Sequence, residues 1–273
     1  MKSPLRDLIL TTLEESGAWC SGEDLAARLG VSRAAVSKHV NGLRAGGHAI
    51  EAATRRGYRL LARRDELNGA FLAASLRTRI FGKNDWHILE ETTSTSHDAV
   101  RLANQGAAEG CVILAERQTQ GRGRKGHAWI SLPRGLQFSV LLRPQARTWD
   151  AGLLTGLGAL AVARAVEKHT GLAPYFKPPN DVHINGRKLA GVLVETGLRG
   201  EEPDWAVIGI GCNVNALPED FPADERLEDG RCRFTSILAE SGRGVSRVLL
   251  LASILECLED FYQRMQRGEI RSK

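Results

Sequence analysis

The sequence has 273 residues, of which 42 % are hydrophobic and 25 % charged, a globular composition in a chain too long for one small module. No apolar run approaches the roughly 20 residues of a membrane helix, and Met1-Lys2-Ser3-Pro4-Leu5-Arg6 does not read as a secretion signal, so membrane and exported classes are set aside and a cytoplasmic location is expected. The net charge of +5 arises within residues 1–64, where 11 Lys/Arg face 6 Asp/Glu, leaving 26 of each sign in the remainder. Residues 28–64 hold nine basic residues against Glu51 alone, a concentration that predicts a polyanion partner for this segment.

Leu5, Leu8, Ile9 and Leu13 recur at helical spacing, and Gly17 follows. Ser21 with Asp24 is a variant capping box that opens a second helix with Leu25, Ala26 and Leu29 inward. Ser32 is an N-cap for a third helix over 32–44, with Val36, Val40 and Leu43 facing the core and Gly46-Gly47 ending it. Its other face shows Arg33, Ala34, Ser37, Lys38 and Asn41. Residues 49–61 alternate as a hairpin with Arg55-Arg56-Gly57 at the turn. Three short helices and a basic hairpin predict a winged helix-turn-helix over 1–64. Its third helix would approach base edges, and Arg55 and Arg56 would hold phosphates. The same residues also admit a helical cap with a solvated basic face.

Arg63-Arg64-Asp65-Glu66 reads as a charged linker to a second domain over 65–273. Strands are expected at 86–91, 111–117, 136–142, 182–184, 189–195 and 205–210, and helices at about 95–105, 150–169 and 245–265. Trp149-Asp150 introduces the helix at 150, and its glycines at 152, 156 and 158 predict a close-packed neighbour. The five cysteines are scattered, odd in number and without C-x-x-C spacing, so neither a disulfide framework nor a metal site is expected.

Three stretches carry chemistry. Gln118-Thr119-Gln120-Gly121-Arg122-Gly123-Arg124-Lys125-Gly126-His127-Ala128-Trp129 follows a strand and combines three glycines with adjacent cations. Glycines let backbone N–H groups approach an anion, and arginines supply forked donors for carboxylate and phosphate. Such a loop suits a reaction that joins two anions, such as activation of a carboxylate by ATP, and it also fits a solvated basic surface loop. Lys177-Pro178-Pro179-Asn180-Asp181 continues through the hairpin turn Asn185-Gly186 to Arg187-Lys188-Leu189-Ala190-Gly191 and on to Glu195. Lys188 is either an ammonium held beside an anion or an ordinary strand-end lysine. Asp181 is either functional or a turn former. Ile208-Gly209-Ile210-Gly211-Cys212-Asn213-Val214-Asn215 is an apolar strand breaking into glycine and asparagine, a bend or a ligand floor. Trp129 is either the apolar lid of the loop or plain core.

These stretches resemble the biotin–protein ligase family, whose signatures read G-R-G-R-x-G-R-x-W, K-W-P-N-D followed by R-K-L-A-G-[IV]-L-[VI]-E, and G-[IA]-G-[IL]-N-[VM]-N. Thr93-Ser94-Thr95-Ser96 is similar to its D-S-T-N, and Val31 to His39 resembles the DNA-binding module of the bifunctional members, the biotin operon repressors. The resemblance covers roughly residues 5–265. It implies an α+β fold: a winged helix-turn-helix followed by a mixed-sheet catalytic domain of the class II aminoacyl-tRNA synthetase and biotin ligase type. It implies an enzyme that makes biotinyl-5′-AMP from biotin and ATP with Mg2+, then transfers biotin to a lysine of a biotin carboxyl carrier protein, the acetyl-CoA carboxylase subunit. It further implies binding to operator DNA as a homodimer when biotinyl-5′-AMP is bound. Residue by residue, Ser94, Thr95, Ser96, Gln118, Gly121, Gly123 and Gly191 would line the biotin pocket. Arg122 and Arg124 would close over biotin and phosphate, and Lys188 would contact the carboxylate and α-phosphate. Asn180, Asp181 and Asn213 would face nucleotide and metal, with Asp181 helping to deprotonate the acceptor lysine. Magnesium would be held largely by the phosphates, with no dedicated protein metal site.

The sequence departs from the pattern at Pro178 for tryptophan, His127 for arginine, Ser96 for asparagine and Cys212 for a branched apolar residue. Family members continue into a small SH3-like barrel, and the expectation is that this sequence lacks it. Residues 217–234, with Phe221 and Phe234, would form the nucleotide loop. Two other functions compete. A regulator that senses biotin with weak or no ligase activity would fit the missing barrel. A lipoate ligase would carry R-R-x-S-G-G-G in place of the glycine–arginine loop, and this sequence has no such motif.

Overall fold

The computed structural model describes residues 4–271 apart from 46–47, 63–64, 66, 84, 146–149, 201, 224 and 226–231. The expected helix end at Gly46-Gly47, most of the linker at Arg63, Arg64 and Glu66, and Trp149 lie outside the described residues, as does much of the expected nucleotide loop. The chain divides into two compact units, Met1–Asp65 with Gly242–Gly244, and Glu66–Ser241 with Val245–Lys273.

The first unit holds α1 (Pro4–Ser16), α2 (Gly22–Leu29), α3 (Arg33–Ala45) and the antiparallel pair β1 (Ala49–Ala53) and β2 (Gly57–Ala62). Ser21 accepts from the Asp24 N–H at 3.0 Å and Ser32 from the Ala35 N–H at 3.1 Å, caps that each contribute about 1 kcal/mol. Ile9, Leu13, Leu25, Val36, Val40, Leu43 and Ile50 close one core. The helical periodicity buries the expected faces except on α1, where Leu8 is 54 % exposed and Leu10 packs inward instead, and Arg33, Ala34, Lys38 and Asn41 are exposed, with Ser37 partly so. At the hairpin turn Arg55 takes φ +67 and Gly57 φ +94. A Cβ at Gly57 would lie 2.0 Å from the Cys20 carbonyl oxygen, so only glycine lets the wing pair with Cys20. Arg56 stacks over Trp19, 4.5 Å from its ring centroid, and Arg59 pairs with Glu51 at 2.7 Å.

The second unit is built on a seven-stranded mixed sheet of order β3-β4-β5-β9-β8-β7-β6. In chain order its elements are α4 (Gly69–Ser75), β3 (Trp86–Thr92), α5 (Thr95–Asn104), β4 (Val112–Gln118), β5 (Leu136–Leu142), α6 (Ala151–Thr170), β6 (Tyr175–Lys177), β7 (Asp181–Ile184), β8 (Arg187–Arg199), β9 (Glu202–Cys212), α7 (Ile237–Ser241) and α8 (Arg247–Gln266). Among the strands named, only β3 and β4 run parallel to each other, with α5 as their crossover. Val112, Leu114, Phe138, Val140, Val192 and Ile208 project to one side and bury against α6 and α8. The alternate residues Cys111, Ile113, Leu141, Trp205 and Val207 meet Ala99 and Ala103 of α5 on the other. Asn185 (φ +49) and Gly186 (φ +77) make the two-residue turn expected between β7 and β8.

Several expectations are corrected. β8 and β9 extend beyond 189–195 and 205–210 into one long hairpin, and the short α4, β6 and α7 were not foreseen. Close packing is real at Gly158, where a Cβ would lie 3.0 Å from Val192 Cγ1. Gly156 has only ordinary contact, at 3.8 Å from Phe176, and Gly152 faces just the Asp150 cap.

Candidate active site

The α5 face of the sheet is only partly covered by α5. Ser139, Gly209, Gly211 and Gly191 continue that face beyond the helix, because Ser139 pairs with Gly209 and Gly191 with Gly211. This bare glycine floor is roofed by the loop that follows β4.

At one end of the floor a hydroxyl cluster forms where β3 and β4 finish and α5 starts. Gln118 Oε1 accepts from the Thr95 N–H at 2.8 Å and from Thr95 Oγ1 at 3.1 Å. Ser139 Oγ lies 2.8 Å from Thr95 Oγ1 and 3.1 Å from Ser96 Oγ. Ser94, Thr95, Ser96 and Ser139 are all buried. A Cβ at Gly209 would stand 2.4 Å from Ser96 Oγ, so the cluster exists only above glycine. Buried hydroxyls and an amide with donors to spare suit a small polar ring that both donates and accepts.

Trp129 divides the site. A Cβ at Gly211 would lie 2.2 Å from its Cε2, and one at Gly191 would lie 3.3 Å from its Cζ3. The indole thus rests on the floor, with Lys188 Nζ 5.7 Å from its centroid. On one side lies a cavity of about 190 Å³ that takes in the hydroxyl cluster, Gln118, Arg122, Gly123, Arg124, Asn180 and Gly191. On the other lies one of about 530 Å³, lined by Ile130, Lys177, His183, Asn213, Phe221 and Phe234 among others. Trp129, Asp181 and Lys188 line both. The two alternatives that the sequence leaves for Trp129 therefore merge, since the ring is both packed and a partition.

Lys188 sits at the junction. Its Nζ lies 2.7 Å from Asp181 Oδ1. Its backbone is clamped, N–H to Arg233 O at 2.8 Å and carbonyl from the Thr235 N–H at 2.9 Å, next to a bridge with Phe234. Asn180 spends its side chain on the sheet, donating to Val192 O at 3.0 Å. Asn213 donates to Thr235 O at 3.0 Å and holds that segment beside the larger cavity. Gly121 lies outside both linings: its carbonyl accepts from the Trp129 N–H at 2.9 Å, and a Cβ would meet Trp129 O at 2.5 Å. In the loop Arg122 pairs with Glu195 at 3.1 Å, and Arg124 stands exposed at the turn beside Lys125, which has φ +54.

Three site residues escaped the sequence reading. Ser139 could have been noticed as a polar residue at alternate spacing in an apolar strand. Glu195 closes a motif but had no assigned partner. His183 is buried on the larger cavity, 3.9 Å from Asp181 Oδ2. Burial first, and then the Lys177 charge, lowers its pKa from the ordinary 6.5, against the opposing pull of the Gly186 carbonyl and Asp181. Beneath the floor, burial pushes the Cys212 thiol up to about 12, which leaves it an inert small apolar residue.

Comparisons with known proteins match both segments of the chain. Residues 89–213 match the biotin/lipoate A/B protein ligase family, and residues 5–59 match an HTH domain. The chain is 36 % identical over 267 residues to the bifunctional ligase/repressor BirA of Bacillus subtilis, covering 96 % of this chain and 80 % of that one. It is 34 % identical over 263 residues to the BirA of Escherichia coli, covering 93 % and 76 %. Among solved structures, the biotin protein ligase from Aquifex aeolicus in complex with biotin and ATP superposes with a TM-score of 0.56 at 31 % identity, over 67 % of this chain and 72 % of that one.

Proposed function

The chain belongs to the biotin–protein ligase family, and from that premise we propose that its two cavities are the biotin and nucleotide halves of one adenylation site. It is a ligase that uses biotin and ATP, and a DNA-binding repressor. The observation that carries the assignment is Lys188, held on the wall common to both cavities.

The chemistry follows from charge. Both reactants are anions, so their approach must be paid for by fixed cations. Biotin's ring enters the hydroxyl-lined cavity, where Gln118 and the Ser/Thr hydroxyls answer its ureido group, and its carboxylate reaches Lys188. ATP occupies the larger cavity with Phe221 and Phe234 near its base. A carboxylate oxygen attacks the α-phosphorus, pyrophosphate leaves, and the mixed anhydride remains under the loop. Lys188 neutralises the carboxylate and α-phosphate, and Arg124 and Arg122 close over them and exclude water. The carrier lysine's amine then attacks the acyl carbon, AMP departs, and Asp181 takes the amine's proton. Asp181 also offers a hard oxygen of the type that would help hold Mg2+, which supplies charge neutralisation to the phosphates when bound. Biotinyl-5′-AMP stabilises a homodimer that binds operator DNA through Arg33, Ala34, Ser37, Lys38, Asn41, Arg55 and Arg56. The acceptor is a biotin carboxyl carrier protein, and the location is cytoplasmic. No helix among the described residues is long and apolar enough to cross a membrane.

The test is pyrophosphate release with and without biotin, followed by transfer to a carrier domain. Biotin-dependent release with transfer supports the assignment. Release without transfer would leave an adenylate-forming sensor, and biotin-independent release would sink the proposal. Arg124→Ala should keep the fold and slow adenylate formation or let the adenylate leak by about 10²-fold. Unchanged single-turnover kinetics would remove Arg124 from the site.

A further inference from the structure

At the opposite end of the parallel pair from the ligase site, the strand register assembles a second set of chemical groups. Trp86 pairs with Val112, and the Val112 N–H donates to Asp85 O at 3.1 Å, which sets Asp85 beside Cys111. His87 follows two residues later on the same face of β3. One carboxylate oxygen, one imidazole nitrogen and the Cys111 sulfur all lie within 4.8 Å of one another. Gln118, at the far end of β4, is seven residues away, roughly 20 Å along an extended strand.

We propose that Asp85, His87 and Cys111 form a binding site for one divalent metal ion of the zinc class, distinct from the ligase site.

The donor set matches that class. Sulfur, imidazole nitrogen and carboxylate oxygen are the three ligand types zinc takes, with a fourth position left for water. Magnesium and calcium, which want oxygen alone, are disfavoured by two of the three donors. The imidazole is poised to bind. His87 Nε2 lies 3.3 Å from Asp85 Oδ1, yet it is buried and makes no hydrogen bond. Cys111 is 1 % exposed and packs with Ala99 and Ala103 of α5, so the sulfur is shielded from bulk oxidants while Asp85 and His87 keep a partly open side. A bound dication would take the Cys111 sulfur as thiolate, and the thiol proton would leave to solvent. None of the three residues lies in a ligase signature, so the ligase reaction does not account for their convergence.

The test uses the full chain, reduced and freed of metal, titrated with Co2+ and then Zn2+. The expected result is one equivalent of Co2+ with a thiolate-to-metal charge-transfer absorption, displaced by one equivalent of Zn2+. Cys232→Ser should leave the band in place, since Cys232 is remote in sequence and only partly buried. Cys111→Ser should abolish it. His87→Ala, at a partly exposed side chain, should weaken binding about tenfold or more and shrink the Zn2+-dependent rise in melting temperature. Absence of a stoichiometric band, its survival in Cys111→Ser, or wild-type affinity in folded His87→Ala would each overturn the site and leave a simple hydrogen-bonded cluster.

Discussion

The winged unit and the ligase unit place their functional residues by different means. The candidate DNA face comes from one helix and the turn of the next hairpin, residues 33–41 and 55–56, each set in place by local caps and turns. The ligase site draws on residues from Ser94 to Phe234 and exists only if strands distant in sequence pair in one register. A locally built face tolerates substitution residue by residue. A register-built floor does not, because each glycine on it is the space that another segment occupies.

The largest effect that separates the two regions should come from Lys188→Ala. With the cation at the junction of the two cavities gone, biotin adenylation should fall on the order of 10³-fold, while operator binding by the unliganded winged unit stays as it was. Retention of adenylation within a few-fold would break the assignment of the junction. Gly211→Ala comes next. Its methyl group would stand where the Trp129 ring now lies, so the partition must move and adenylation should drop about 10²-fold, with KM rising for both substrates. A rise for only one substrate would mean that Trp129 does not serve both cavities.

The converse test is Arg33→Ala with Lys38→Ala. Both side chains are exposed on α3. Operator affinity should weaken, and the slope of log affinity against log salt should shrink by up to about 2 if both contact phosphate. Biotin adenylation should be unchanged. Equal loss of both activities would show that the two units are not separable.

The same contrast governs how much could be read before the fold was seen. The Ser21 and Ser32 caps, the Asn185-Gly186 turn and the long strands were legible because their causes lie within a few residues. α4, β6 and α7 span seven, three and five residues, too short for a periodic pattern to declare itself. The ligase motifs pointed to Gln118, Lys188 and Asp181, but Ser139 became visible only through its contacts with Thr95 and Ser96, more than 40 positions away. Glu195 likewise gained meaning only when the loop brought Arg122 to it. The glycine at 156 misled because a helix glycine carries no mark of whether a neighbour is close: Gly158 has one on the sheet, and Gly152 has only the side chain of its own cap, Asp150.

The smallest expected effect is on stability against pH. His169 and His183 both lie in the ligase unit, and burial is the leading cause that lowers each from the ordinary 6.5. The folded unit therefore refuses protons that the unfolded chain accepts. Above the ordinary value both states are neutral at these sites, and stability is at its full level. As pH falls through 6.5 the unfolded chain binds more protons, so stability declines until the folded histidines also titrate. Removing His183 should remove its share of that decline. The melting temperature of His183→Gln should accordingly fall less steeply than wild type between neutral and mildly acidic pH, by a few degrees at most. Parallel curves would mean that the buried imidazole is not what sets the acid limit of the register-built unit, and the loss would then have to come from elsewhere in that unit.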